Sequence, residues 1–317
     1  MTLLFYLIVF VICLIVVIKS GTLLVKSLIT ISRFLHWSEY SIAFILMAFA
    51  TSVPELFIGV TSAIRKVPSI SFGNIIGANI LNLTLAIGMV IIIARGIDVS
   101  DQSARKDAWL IFFMALLPIL LSFDGVLSRI DGVILLLLFI WYATRLLGRK
   151  EKFNEKINLV KYDVDSVKKT IKSLFLFIIG LSFLLIAAWG LVWSATAVAT
   201  RIGFSLALIG LILVAIGTTL PEMSFGVRSV LLKHEEMAIG NFVGSVAFNS
   251  LIVIGLVAVI CPFEVDFHLA IISALFLSLS LIVFNIFIHT KKRLSYREGV
   301  ILLMMYGLFL VSTMFLK

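Results

Sequence analysis

Shifted by 167 positions, this 317-residue chain matches itself without a gap. Thr51 falls on Thr218, Pro54 on Pro221, Glu55 on Glu222 and Gly59 on Gly226. Further along, Gly73 and Asn74 fall on Gly240 and Asn241, Gly77 on Gly244, Asn82 on Asn249 and Gly88 on Gly255. The matches are polar residues, glycines and prolines set in apolar surroundings, where coincidence is least expected. The pattern is an internal duplication. It constrains the fold to two similar halves, with the function expected where the copies meet.

Composition names the solvent. Hydrophobic residues make up 62% of the chain and charged ones 14%, with mean hydropathy +1.19. A core in water cannot absorb that much apolar surface, so the chain reads as an all-α integral membrane protein with the lipid bilayer as its partner. Ten stretches have membrane length, near 2–20, 40–64, 70–94, 107–123, 130–147, 171–195, 205–231, 236–260, 267–289 and 298–316. No Lys or Arg precedes the first apolar run, and no small-residue cleavage site follows it, so it reads as a retained helix rather than a signal peptide.

The net charge of +9 does not call for nucleic acid, because the basic residues gather in loops on one side. The 145–172 connection holds Arg145, Arg149, Lys150, Lys152, Lys156, Lys161, Lys168, Lys169 and Lys172, and the 291–297 connection adds Lys291, Lys292, Arg293 and Arg297. The opposite loops carry mainly Arg65, Lys66, Arg129 and Arg201. This asymmetry sets those two connections in the cytoplasm and the amino end outside. A unit of five spans is odd, so the second copy enters from the opposite side and the repeat is inverted. The expected organisation is a first five-helix repeat over 1–147, a cytoplasmic linker over 148–170 and a second, inverted repeat over 171–317. The linker's acids, Glu151, Glu155, Asp163 and Asp165, lack the central glycine and closing glutamate of a calcium-binding loop. Cys13 and Cys261 lie in or beside apolar runs, and packing is their expected role. His36, His234, His268 and His289 are scattered without ligand spacing.

Two carboxylates, Glu55 and Glu222, lie deep within the expected spans. An ionised acid there costs at least about 2.5–3.5 kcal/mol unless it faces a polar cavity, holds a cation or is protonated. Both stand in the same setting, T-[ST]-x-P-E. Proline cannot donate to the carbonyl four residues before it, which frees that of Ala50 before Pro54 and that of Gly217 before Pro221. Thr51 and Glu55, like Thr218 and Glu222, are four residues apart and share a helix face. Each half thus offers a carboxylate, hydroxyls and loosened backbone oxygens. Joined at the midplane, the halves make an all-oxygen, dianionic cavity that suits hard cations, with a charge matching one Ca²⁺ or two Na⁺. The next helix of each half adds a polar stripe: Asn74, Ala78 and Asn82, then Asn241, Ser245 and Asn249. Asn74 and Asn241 are expected in interhelical hydrogen bonds, and Asn82 and Asn249 are expected to line the ion site. Gly73, Gly77, Gly240 and Gly244 are expected at close helix contacts.

At these residues the chain resembles the calcium/cation antiporter superfamily, in particular its sodium/calcium exchangers. The resemblance rests on AFATSVPELFIG followed by GNIIGANILN, and AIGTTLPEMSFG followed by GNFVGSVAFN, against the family's paired G-[TS]-S-x-P-[ED]-L and G-N-x-x-G-S-N signatures. It extends over the full length, from helix count to central basic loop. It implies that Glu55 and Glu222 bind Ca²⁺ with backbone oxygens of Thr51 and Thr218. It implies Na⁺ at Ser52, Thr219, Ser245 and the backbone oxygens of Ala48 and Ala215, sharing both glutamates. It also implies that the long first helices, near 2–30 and 171–200, slide across a fixed core. The T-S-x-P-E form favours sodium over proton coupling, and GSVAFN implies no potassium requirement. Three departures matter: Asn249 where several relatives carry Asp, Ala78 where the family has Ser, and Ala50 where it has Gly. Ala78 removes a hydroxyl from one sodium position and bears on the number of ions per cycle.

The expectation is therefore a secondary antiporter exchanging Ca²⁺ for Na⁺ by alternating access, working as a monomer in the plasma membrane and needing no cofactor. Rival readings are a proton-coupled or Mg²⁺ antiporter and a Ca²⁺-selective channel using the same acids. An enzyme is not expected, since no nucleophile–base pair, phosphate loop or redox motif stands in a suitable context.

Overall fold

The computed structural model describes residues 3–35, 37–66, 68–99, 102–148, 164–202, 215–265, 267–290 and 293–315. Most of the expected 148–170 linker and the start of the expected 205–231 span lie outside the described residues. The chain is a helix bundle: α1 (Leu3–Leu35), α2 (Glu39–Thr51), α3 (Val53–Ile64), α4 (Pro68–Leu81), α5 (Ile87–Ala94), α6 (Gln102–Leu121) and α7 (Arg129–Gly148) come first. Then come α8 (Val164–Ile202), α9 (Ala215–Leu231), α10 (Glu235–Phe248), α11 (Ile254–Ile260), α12 (Phe267–Thr290) and α13 (Tyr296–Phe315). Among the described residues five helices are long and apolar enough to cross a membrane: Leu3–Leu35, Ser71–Ala94, Asp107–Asp124, Ser166–Gly190 and Glu235–Ile260. The α2–α3 pair, bent by 48°, makes a sixth if counted as one span.

Local chemistry explains the breaks. Ser38 caps α2, its hydroxyl accepting from the Ser41 N–H at 3.0 Å. Pro54 sits in the first turn of α3, where its missing N–H costs least, so the helix stops at Ser52 and restarts. Pro221, its repeat mate, instead lies inside α9. Among the described residues three π-helical turns interrupt the α pattern, at Ala43–Met47, Asn82–Ala86 and Asn249–Val253. The last two begin on repeat-related asparagines. Each inserts one extra residue per turn, a feature frequent at functional sites.

Helices α1 and α8 pack along each other and turn their outer faces outward. Leu4, Ile8, Val11, Ile12, Ile171, Phe175, Ile186 and Trp189 are exposed, while Leu24, Val25, Leu28 and Leu184 are buried. Exposed apolar stripes of this length suit lipid, as composition requires. Cys13 packs on α8: a Cβ placed on Gly190 would lie 2.6 Å from its sulfur. The centre of the bundle is α10, buried at every residue from Met237 to Phe248.

Contacts in the two halves are related by the same offset as the sequence. Gly88 meets Gly299, where an added Cβ would approach the facing carbonyl oxygen to 2.8 Å; Gly132 meets Gly255, where it would approach to 2.6 Å. The four glycines are two repeat-related pairs, each joining one copy to the other. Two short ribbons follow the same rule. β1 (Ile97–Asp98) pairs antiparallel with β4 (Arg293–Leu294), and β2 (Val126–Leu127) with β3 (Phe263–Glu264). They lie at opposite ends of α6, about 30 Å long by its 20 residues. The β1–β4 end carries a polar cluster: the Asp98 N–H donates to the Glu235 carboxylate, Arg293 approaches Asp98 at 3.6 Å, and His234 pairs with Glu39 at 2.8 Å.

Candidate cation site

The polar residues singled out by the repeat lie inside the bundle, and some of them come together around Glu222. Thr51, Ser52, Glu55, Asn82, Thr219, Glu222, Asn241, Ser245 and Asn249 are all buried. The Glu222 carboxylate is flanked by the side-chain hydroxyls of Thr51 and Ser52 from the first copy and Ser245 from its own. None of these is placed to make a well-formed hydrogen bond to it, so both carboxylate oxygens remain unsatisfied. Ser52 Oγ, Ser245 Oγ, Asn82 Oδ1 and Asn249 Oδ1 are likewise buried without a hydrogen-bond partner. Leaving such an atom unpaired costs about 1–3 kcal/mol each, and buried carboxylate, amide and hydroxyl oxygens of this kind can be satisfied by a bound cation.

The donor set also indicates which cation. Among the described residues no three of His, Cys, Asp and Glu come together as a metal cluster. Hydroxyl, amide and carboxylate oxygens suit hard, oxygen-seeking ions rather than transition metals.

Of the two asparagines expected in interhelical hydrogen bonds, Asn241 ties the copies together, whereas Asn74 Nδ2 is buried without a hydrogen-bond partner. Asn241 Oδ1 accepts from Thr51 Oγ1 at 3.4 Å, and Asn241 Nδ2 donates to the Glu222 carbonyl at 3.4 Å. The single Thr51 hydroxyl hydrogen is shared with its own helix, where the Met47 carbonyl accepts at the shorter distance of 3.0 Å. The Ala48 carbonyl accepts from the Ser52 N–H at 3.0 Å, so one of its lone pairs is already engaged. Ala215 and Thr218 open α9, and their side chains lie outside the described ones. Gly240 and Gly244 do allow close contact: a Cβ on either would lie 2.5 Å from the Tyr40 carbonyl or 2.7 Å from that of Phe44. Gly73 and Gly77 meet no described atom within 4 Å. The repeat mates of Tyr40 and Phe44 are Ala207 and Leu211, which lie outside the described residues.

Two features escaped the sequence reading. Asp107 is a third buried carboxylate, placed near the start of α6, where it accepts from Tyr142 Oη at 3.0 Å. The tyrosine 35 positions away was the only signal, and spacing does not pair them. Asn79 is fully buried and joins the copies, its Nδ2 donating to Ser250 Oγ at 2.8 Å and its Oδ1 accepting from Asn249 Nδ2 at 3.3 Å. Its repeat mate is Val246, so the duplication does not mark it, although it closes the first copy's G-N-x-x-G-S-N signature.

Comparison with known proteins agrees with this geometry. The sodium/calcium exchanger protein family matches residues 5–148 and 172–315, one segment in each half. The sodium/calcium exchanger MaX1 of Methanosarcina acetivorans is 26% identical over 335 residues, covering 94% of this chain and 95% of its own. The inner membrane protein YrbG of Escherichia coli is 28% identical over 225 residues, covering 69% of each. The solved structure of the sodium–calcium exchanger NCX_Mj, soaked without Na⁺ and Ca²⁺, superposes with a TM-score of 0.84 at 25% identity, covering 98% of this chain and 99% of that one. A family match across both halves, on a fold shared with an exchanger, makes this chain a member of the sodium/calcium exchanger family.

Proposed function

We propose that the chain is a secondary active antiporter that exchanges Ca²⁺ for Na⁺ by alternating access through one shared midplane site. The observation that carries this reading is the set of buried, unpartnered oxygens drawn from both copies around Glu222. Glu55 and Glu222 supply the two negative charges, and Thr51 and Thr218 add backbone oxygens for Ca²⁺. Ser52, Thr219, Ser245 and the carbonyls of Ala48 and Ala215 hold Na⁺, with Asn82 and Asn249 lining the site.

The coupling follows from electrostatics. One Ca²⁺, or several Na⁺, neutralises the two glutamates, and the loaded cavity can close. An unloaded cavity would bury two uncompensated carboxylates, which is too costly to carry through a closed intermediate. Only loaded forms cross, so one flux requires the other.

The architecture in this reading is ten transmembrane helices in two inverted five-helix repeats, over 1–147 and 171–317, joined by a cytoplasmic 148–170 linker. Support comes from the repeat-related glycine pairs and from related ribbons at opposite ends of α6. The amino end lies outside the plasma membrane, and the monomer is the working unit. α1 and α8, apolar on their outer faces, are the elements that slide. Glu55→Gln tests the shared site: it is expected to abolish calcium flux into sodium-loaded proteoliposomes. Full retention of that flux would end the shared-site account.

A further inference from the structure

Asn79 breaks the symmetry of the site. It bonds Ser250, yet the repeat mates of this pair are Val246 and Leu83. One crossing between the copies is polar where its related crossing is apolar. The bond has a consequence for Asn249. With its Nδ2 committed to Asn79 Oδ1, the atom left unpartnered is Oδ1. Asn249 follows Ser245 by one helical turn, its N–H donating to the Ser245 carbonyl, and the Ser245 hydroxyl flanks the Glu222 carboxylate.

A primary amide presents an oxygen or an NH₂ with almost the same shape, and only its hydrogen-bond partners choose between them. Toward a cation the two are opposite in sign. Resting on the cation-site reading above, we propose that Asn79 is a positioning residue that holds the Asn249 amide with its oxygen, not its nitrogen, offered to the transported cation. Ser250 fixes Asn79 in turn by accepting from its NH₂. An aspartate at 249 would carry two equal oxygens and need no such clamp; asparagine does. Asn82 has Val246 at the repeat-related place, a side chain with no acceptor to offer.

The test is a double-mutant cycle read by equilibrium ⁴⁵Ca²⁺ binding to the purified full chain, with thermal melting in parallel. Asn79→Val removes the acceptor and is expected to weaken calcium binding about tenfold when residue 249 is Asn. In an Asn249→Asp background the same substitution is expected to cost less than about twofold, because orientation no longer matters. An equal cost in both backgrounds marks a packing role and overturns the proposal. So does an Asn249→Asp protein that no longer binds calcium. Ser250→Ala, which frees the Asn79 amide without adding bulk, is expected to weaken binding about threefold with the same dependence on residue 249. It carries the test if Asn79→Val does not fold. Glu222→Gln separates the two readings. Binding kept in Glu222→Gln refutes the cation site itself; binding lost there but unchanged in Asn79→Val refutes only the positioning role.

Discussion

Gly244→Ala adds one methyl group at one of the close contacts that join the two copies. Its Cβ would stand 2.7 Å from the Phe44 carbonyl oxygen, 2.8 Å from the Ala48 Cβ and 2.9 Å from the Phe44 Cα. Two of the three are backbone atoms, which cannot turn aside as a side chain end can. Restoring ordinary contact of about 3.4 Å requires α10 and α2 to separate by about 0.7 Å, and overpacking of this kind costs about 1–3 kcal/mol. The next residue is Ser245, whose hydroxyl flanks the Glu222 carboxylate together with Ser52 from the α2–α3 break. Calcium–oxygen distances span only about 2.3–2.6 Å, so a shift of that size takes at least one ligand out of reach. The expected outcome is a lower melting temperature in detergent and a rise of about tenfold or more in the calcium concentration for half-maximal uptake. Gly307→Ala, with no atom within 4 Å of its added Cβ, is the control and should leave both unchanged or stabilise slightly. Wild-type melting and calcium affinity in Gly244→Ala would refute the close α2–α10 contact and the site geometry built on it.

Two further outcomes follow from the same geometry. Asp107→Ala deprives Tyr142 of its carboxylate acceptor and is expected to cost about 1–3 kcal/mol of stability in thermal melting. Its half-saturating calcium should match the wild type; an altered ion dependence would mean that this third acid takes part in transport. Ala78→Ser restores the hydroxyl that the family carries at the mate of Ser245. It is expected to lower the sodium concentration that half-maximally releases calcium by about threefold, and an unchanged sodium dependence would remove position 78 from the sodium site.

The fold was legible where a residue's chemistry is at odds with lipid. Glu55, Glu222 and the paired asparagines could be found because a polar group repeated in apolar sequence has few bland explanations. The glycines at 240 and 244 were legible as close contacts for a similar reason, since the structure sets backbone carbonyls against both. What escaped was asymmetric. Asn79 has a valine as repeat mate, so the duplication gave no mark, and its partners Asn249 and Ser250 lie 170 and 171 positions away. Asp107 begins an expected span and reads as a helix-end charge until Tyr142 is seen to close over it. The π turns at Asn82 and Asn249 leave no trace in spacing, because one extra residue in a helix is absorbed in the backbone. The different treatment of Pro54 and Pro221, a 48° bend against an interior proline, likewise depends on neighbours rather than on the shared motif.

In the proposed cycle, sodium leaving through this site drives calcium in. The most direct measurement is ⁴⁵Ca²⁺ uptake by proteoliposomes loaded with sodium and diluted into sodium-free buffer, beside vesicles loaded with potassium and given a pH gradient. Uptake is expected only with internal sodium, and Glu55→Gln is expected to abolish it. Uptake driven by protons alone, uptake with neither gradient, or magnesium flux in place of calcium would contradict that cycle.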